Sequence, residues 1–451
     1  MISRRGVLFS RLVGPFELIM KRRIFCGLPL LLAVALGSAV AFPAKGQDTH
    51  AVPGTNALTL DAAIRLALED NPEIRVLSAD IASARGDVTT AKTWQNPEVS
   101  VSPGFKTIRD PSTTEFHGDF GLEQTFEWPG KRALRRAVAE KSVTVRQLAL
   151  TGFRSQLAIQ VRRAYYTLLA TREVMTLREQ RLTLARSFVD AARKKVEGGF
   201  APEFEATKAE VEVVGAQKSL REAQAQQDTA RVGLNALMGR KPTEPLTVAG
   251  ALDGTIKLPA QSTLLEQALA RNPVVKVQEA EAERTGLSLQ AIRKSRLPDF
   301  KVGPSVEYTR DEQTVGFGVS LPLPFWDKKK GEIATATAEQ EKALAELDKL
   351  RREILRDVTT AAQNLTAATE SLAFYTPALR DKLKTALDAA AQSYSEGRMP
   401  LLLYLESQRT YFDTQADYFE MLQKLFETQA ELESALGVPL NQLSQPANET
   451  K

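Results

Sequence analysis

Val196-Glu197-Gly198-Gly199-Phe200-Ala201-Pro202 returns 198 positions later as Tyr394-Ser395-Glu396-Gly397-Arg398-Met399-Pro400. Gly199 falls on Gly397 and Pro202 on Pro400. Both stretches interrupt long helical patterns, so each reads as the break between two helices. Outward from the breaks, the same offset relates Trp128 to Trp326 and Gly239 to Gly437. Toward the N-terminus the offset is 201: Asn71-Pro72, Pro97 and Pro103 match Asn272-Pro273, Pro298 and Pro304. An offset kept from turn signals to chain breakers predicts a tandem structural repeat. The halves are expected to differ by three residues in one loop, between Pro97 and Trp128, and otherwise to run in register. Repeat 1 is set at 56–240, an irregular linker rich in proline and glycine at 241–261, repeat 2 at 262–440, and a polar tail at 441–451.

Upstream of each break lies a very long helical pattern. From Lys131 to Glu197 there is no proline and one glycine, Gly152. Val161, Leu168, Met175, Leu182, Val189 and Val196 recur every seven residues, a coiled-coil period. At 1.5 Å per residue that helix is roughly 100 Å long. A partner helix runs from Glu203 to Met238. The second half repeats the scheme from Lys328 to Glu396, with Val358, Leu365, Leu372 and Leu379 seven apart and a kink expected at Pro377.

Before each long helix the period falls from 3.6 to 2. Phe116, Gly118, Phe120 and Leu122 alternate with His117, Asp119, Gly121 and Glu123; Val315, Phe317, Val319 and Leu321 alternate with Thr314, Gly316, Gly318 and Ser320. With their partner arms these make four strands, at about 97–107, 115–126, 298–309 and 313–323, each with one apolar face. The alternation fits a membrane-spanning β-strand and fits a half-buried soluble strand equally well.

The N-terminus reads as a secretory signal over 1–46. Lys21-Arg22-Arg23 precedes an uncharged run from Ile24 to Ala44 with small residues at Ala39 and Ala41, and Met20 is an alternative start. The single cysteine, Cys26, lies at the start of the apolar run instead of after it, the wrong side for lipid attachment. Without 1–46 the chain holds 52 Lys/Arg against 54 Asp/Glu, a balance of −2, so no basic surface points to nucleic acid. Two histidines, His50 and His117, and no cysteine pair give no histidine metal site, and no metal ligand, cofactor or catalytic residue is assigned. Phosphate-loop, dinucleotide and nucleophile-elbow motifs are missing from the sequence, which reads as a non-enzyme.

Geometry sets the next step. Four strands per chain cannot close a membrane barrel, and an open edge in lipid leaves backbone groups unpaired at several kcal/mol each. If the strands are transmembrane, several chains share one barrel. Three copies give twelve strands, closed by cyclic symmetry. The expected fold class is then mainly α with a membrane β-barrel contribution: a trimeric 12-stranded barrel continued by a 12-segment helical barrel. Phe116, Phe120, Leu122, Phe317 and Val319 would face lipid.

Leu58-Thr59-Leu60-Asp61-Ala62-Ala63 through Asn71-Pro72, the duplicated hairpins and the tip glycines resemble the TolC-like outer-membrane efflux proteins over about 56–440. Phe126-Glu127-Trp128-Pro129-Gly130-Lys131-Arg132 looks like the cobalt–zinc–cadmium branch of that family. The resemblance implies a homotrimeric exit duct in the outer membrane with its helical barrel in the periplasm. It implies an adaptor (membrane fusion) protein and an inner-membrane pump, commonly proton-driven, as partners, and metal ions or small toxic compounds as cargo. It further implies adaptor contact at Gly198, Gly199, Phe200, Ala201, Pro202, Gly397, Arg398, Met399 and Pro400, and a periplasmic gate using Glu205, Tyr394 and Glu406. The family's tip arginine position is Met399 here, its hydroxyl partner of the tyrosine is Phe204, and its second constricting acid is Leu403, so the closing links are expected to differ. A duct for protein secretion and a periplasmic adaptor are the competing readings; an adaptor needs only one hairpin.

Overall fold

The computed structural model describes residues 57–107, 114–252, 254, 256, 258–309 and 311–443. The signal segment, the tip of the first strand hairpin and the tail beyond Leu443 lie outside the described residues. Repeat 1 consists of α1 (Leu60–Asp70), α2 (Pro72–Lys92), β1 (Glu98–Thr107), β2 (Thr114–Phe126), α3 (Lys131–Glu197) and α4 (Glu203–Leu237). Repeat 2 consists of α5 (Gln261–Arg271), α6 (Pro273–Lys294), β3 (Phe300–Tyr308), β4 (Gln313–Ser320), α7 (Lys330–Ala373), α8 (Pro377–Ser395), α9 (Leu401–Leu436) and the single turn α10 (Leu440–Leu443). Among the described residues no helix is long and apolar enough to cross a membrane.

The duplication extends to individual hydrogen bonds. Asn71 caps α2 by accepting from the Glu73 amide at 2.9 Å, and its side-chain amide donates to the Leu237 carbonyl at 3.1 Å. Asn272 caps α6 by accepting from the Val274 amide at 2.8 Å and donates to the Ala435 carbonyl at 2.9 Å. Each Asn-Pro thus starts one helix, with proline at its first position, and ties that start to the end of the returning helix. Behind each pair sits a matched core. Ala63, Ala67, Leu234 and Met238 are buried in repeat 1; Leu264, Ala268, Leu432 and Leu436 are buried in repeat 2. The linker contributes one parallel bridge, Leu58 to Val248, clamped by the Tyr165 hydroxyl, which donates to Leu58 O at 2.8 Å and also contacts Ala249 O.

The register between halves is less simple than the sequence reading has it. In the long helices the buried positions match at an offset of 197: Leu157 with Ile354, Val161 with Val358, Leu168 with Leu365. At the tips the offset is 198 again. One residue turns an α-helix by about 100°, so the slip must be absorbed somewhere. It is absorbed where α7 stops at Ala373 and α8 restarts at Pro377. The kink expected at Pro377 is therefore a full break. Pro377 opens a new helix, and Thr376 caps it by accepting from the Leu379 amide at 3.2 Å. α3, with no such proline, runs unbroken for 67 residues.

The four strands form one antiparallel sheet in the order β1-β2-β3-β4. The two repeats meet at β2 and β3, where Phe120 lies opposite Val306 and Asp119 opposite Glu307. Register then carries Val101, Phe120, Val306 and Val315 across one face. β1 and β4 are the edges of the sheet.

Candidate functional site

The two helical tips are built alike. At the first, the Phe200 amide donates to Lys195 O at 2.8 Å and the Gly199 amide to Val196 O at 2.9 Å. At the second, Arg398 donates to Ser393 O at 2.9 Å and Gly397 to Tyr394 O at 3.1 Å. This is the glycine-closed helix end, and it needs the positive φ of Gly199 (72°) and Gly397 (73°). Pro202 and Pro400 then stand directly before α4 and α9. The tips present apolar surface to solvent: Phe200 is 87% exposed, Leu402 75% and Phe204 71%. Gly198, Pro202 and Pro400 are also exposed, and Arg398 pairs with Glu396 beside them. Ala201 and Met399 are half-buried, and Met399 packs against the core beneath.

That core holds the predicted tyrosine. The Tyr394 hydroxyl donates to Glu205 Oε2 at 3.1 Å, joining the end of α8 to the first turn of α4. Burial, and then the adjacent Glu205 carboxylate, push the Tyr394 hydroxyl up to about 12 from its ordinary 10. Glu205 is favourably placed because a carboxylate in the first helical turn faces the positive end of the helix dipole. The structure thus brings together two of the three predicted gate residues. Glu406 is exposed on α9, and among the described residues no hydrogen bond or ion pair reaches it.

Several partners of Tyr394 were not apparent from the sequence. Lys195 Nζ lies 3.8 Å from the centre of its ring and donates to its main-chain carbonyl at 2.6 Å. Tyr404 stacks on it at 5.2 Å with ring planes 8° apart, and Phe188 packs at 5.2 Å. Gln408 donates to the buried Tyr404 hydroxyl at 2.6 Å, and burial raises that hydroxyl's pKa. Tyr404 and Gln408 could have been found as an i,i+4 pair on one helix face; nothing local marks Lys195. Phe204 is 71% exposed and has no polar side-chain atom to offer a tyrosine hydroxyl.

At the other end, Phe116, Phe120, Leu122, Phe317 and Val319 share one sheet face and are all exposed in the single chain. An aromatic band lies at the junction of strands and helices. Phe126 stacks on Phe300 at 5.6 Å, Trp94 meets Phe126 edge-on at 6.1 Å, and the Arg132 guanidinium lies 4.0 Å from the Trp94 ring centre. Here the 126–132 motif turns strand into helix. Gly130 takes φ 93°, and Lys131 Nζ and the Trp128 amide both donate to Asp299 Oδ1, at 2.7 and 2.9 Å.

The model of the family described as outer membrane efflux protein matches residues 63–240 and 264–438, one span in each repeat. The cobalt-zinc-cadmium resistance protein CzcC of Cupriavidus metallidurans is 27% identical over 424 residues, covering 92% of this chain and all of the relative. The nickel-cobalt-cadmium resistance protein NccC of Alcaligenes xylosoxydans xylosoxydans is 25% identical, covering 71% of this chain and 72% of the relative. Among solved structures, the outer-membrane channel OprN superposes with a TM-score of 0.72 at 17% identity, over 84% of this chain and 89% of that one.

Proposed function

Since the chain belongs to the outer membrane efflux protein family, we propose that three copies close one channel-tunnel, which serves as the passive exit duct of a tripartite pump. One observation carries this reading. A single chain supplies a four-stranded sheet with two open edges and a largely exposed apolar face, which is unstable in water and in lipid alike. Pairing β1 of one copy with β4 of the next removes every edge and turns Phe120 and Phe317 to the hydrocarbon. The aromatic band of Trp94, Phe126 and Phe300 then suits the membrane–water boundary, where such rings concentrate.

The helices form the periplasmic tunnel, and the tips with Phe200 and Leu402 receive an adaptor that links the duct to an inner-membrane pump. Glu406 lines the narrow end, where three carboxylates around one axis attract cations. The cargo is a divalent transition-metal ion, as the names of CzcC and NccC indicate for those relatives. The reading assigns no catalytic group.

The decisive experiment is fractionation followed by sizing in mild detergent. The outcome expected is an outer-membrane trimer; a soluble monomer would overturn the reading. Single cysteines at Ala201 and Met399 should crosslink to the adaptor. Glu406→Gln should weaken cation preference in single-channel recordings, and unchanged selectivity would remove Glu406 from the constriction.

A further inference from the structure

The polar face of the sheet carries one group of side chains that the duct does not require. His117 and Asp119 are two residues apart on β2 and so point to the same side. Asp119 lies directly opposite Glu307 on β3. His117 Nε2 is 3.3 Å from Asp119 Oδ2, and Nδ1 is 3.5 Å from Glu307 Oε1. One ligand atom from each of the three residues lies within 4.8 Å of the other two. We propose that His117, Asp119 and Glu307 form a binding site for a divalent transition-metal ion.

Four observations support it. First, carboxylates directly opposite across a ladder repel, and here they are opposed without a strong cation between them. Among the described residues Asp119 and Glu307 have no lysine or arginine partner; Lys301 on the same face is committed to Glu98 and Glu123. Second, His117 Nδ1 is screened from solvent and, although 3.5 Å from Glu307 Oε1, makes no hydrogen bond. A screened polar atom so poorly satisfied is costly, and a metal ion is one way to satisfy it. Third, the spacing is within reach. His117 can give one nitrogen to an ion, and that atom and one oxygen of each carboxylate lie within 4.8 Å of one another. Donors about 2.1 Å from a tetrahedral ion stand about 3.4 Å apart, so side-chain rotation closes the set. Fourth, the residue opposite His117 on β1 is Gly104, which leaves room for water to complete the coordination.

The donor set names the class of ion. One imidazole nitrogen with two carboxylate oxygens favours zinc, cobalt or nickel over magnesium or calcium, which prefer all-oxygen sites. Two negative charges match one divalent ion. Three protein ligands with water in the remaining positions hold an ion exchangeably, unlike the closed four-ligand cage of a structural zinc. That such a site would line the lumen, three times around the axis, rests on the proposed barrel; ion binding by the chain does not.

The test is calorimetry with Zn²⁺, and visible absorption with Co²⁺, on the purified full-length protein in mild detergent near pH 7. The expectation is saturable binding that weakens roughly tenfold to a hundredfold or more in His117→Ala and in Glu307→Gln. Glu115→Gln, on the same face, is the control and should bind as the parent does. Far-UV circular dichroism and the sizing profile check that each variant is folded; Asp119→Asn replaces any variant that is not. Equal affinity in parent and variants, or no Zn²⁺ binding by the parent, would overturn the site. Failure here leaves the trimer and its fractionation untouched, so the two readings are tested separately.

Discussion

Arg162 Nη1 donates to both carboxylate oxygens of Glu433, at 2.8 and 2.7 Å, in the seam between the repeats. Arg162 comes from α3 and Glu433 from α9. Glu433 is fully buried and also accepts from Gln429 Nε2 and the Leu440 amide, both at 3.1 Å. Arg162→Ala leaves a buried carboxylate without its cation, and the expected loss is about 3–5 kcal/mol. Replacing both members, by Arg162→Met with Glu433→Leu, should cost far less, since two well-packed apolar groups need no partner. Denaturant unfolding followed by circular dichroism distinguishes the two. Equal losses would show that the pair's geometry, and not an orphaned charge, sets the cost.

Asn71→Ala removes a helix cap and a bond to the returning helix at one stroke. The cap is worth about 1 kcal/mol and the second hydrogen bond about another 1 kcal/mol. Asn272→Ala should cost nearly the same, because its two bonds are the same. The two sites share no partner, so the double variant should lose close to the sum. Thermal melts of the four proteins measure it, and a loss at one site only would break the equivalence of the repeats.

Tyr394 should make the tips sensitive to alkaline pH. The unfolded chain releases the phenolic proton near 10 and the folded chain near 12, so the folded state holds the proton more tightly. The stabilisation is whole below pH 10 and is lost as pH rises toward 12. Ultraviolet titration of tyrosinate should show a late-ionising group that is missing in Tyr394→Phe. Identical titration curves would mean that the hydroxyl is not held against Glu205.

The apolar face of the sheet can be tested by charge. Phe317→Arg should cost about 2–4 kcal/mol if the side chain lies near the bilayer midplane. Ser320→Arg, on the polar face of the same strand, should assemble normally. Heat-dissociation of the trimer on semi-native gels reads both, and equal tolerance would show that the face never meets lipid.

Much of this architecture is legible in the residues. Periods of seven and two are local, so α3 and the strand alternation can be read without knowing any partner. The tip glycines are legible because only a positive φ closes a helix in that way. Two of the proposed gate residues, Tyr394 and Glu205, follow from family resemblance, and their hydrogen bond appears only in the fold. Lys195 sits 199 residues from Tyr394, and His117 is 190 residues from Glu307; no spacing rule joins either pair. Counting histidines does not reveal the latter group, because two of its members are carboxylates brought together by the pairing of β2 with β3. The 197-residue offset stayed hidden because glycine and proline mark turns, whereas the slip lies between buried apolar positions that tolerate many residue types.

The break at 374–376 gives the two halves different mechanics. A continuous helix transmits torque along its whole length; an interrupted one passes tension but swivels. Twisting the tip of α8 therefore need not rotate α7, whereas turning the tip of α3 turns the entire rod. In a ring of three such chains, rigid staves would alternate with swivelling ones, and any iris-like movement would be confined to the latter. Hydrogen exchange should show it as fast amides around Phe374 and Tyr375 and slow ones at the matching level of α3, near Thr176 and Leu177. Copying one unit twice gave symmetry; a single surplus residue in one copy turned half of the framework into joints.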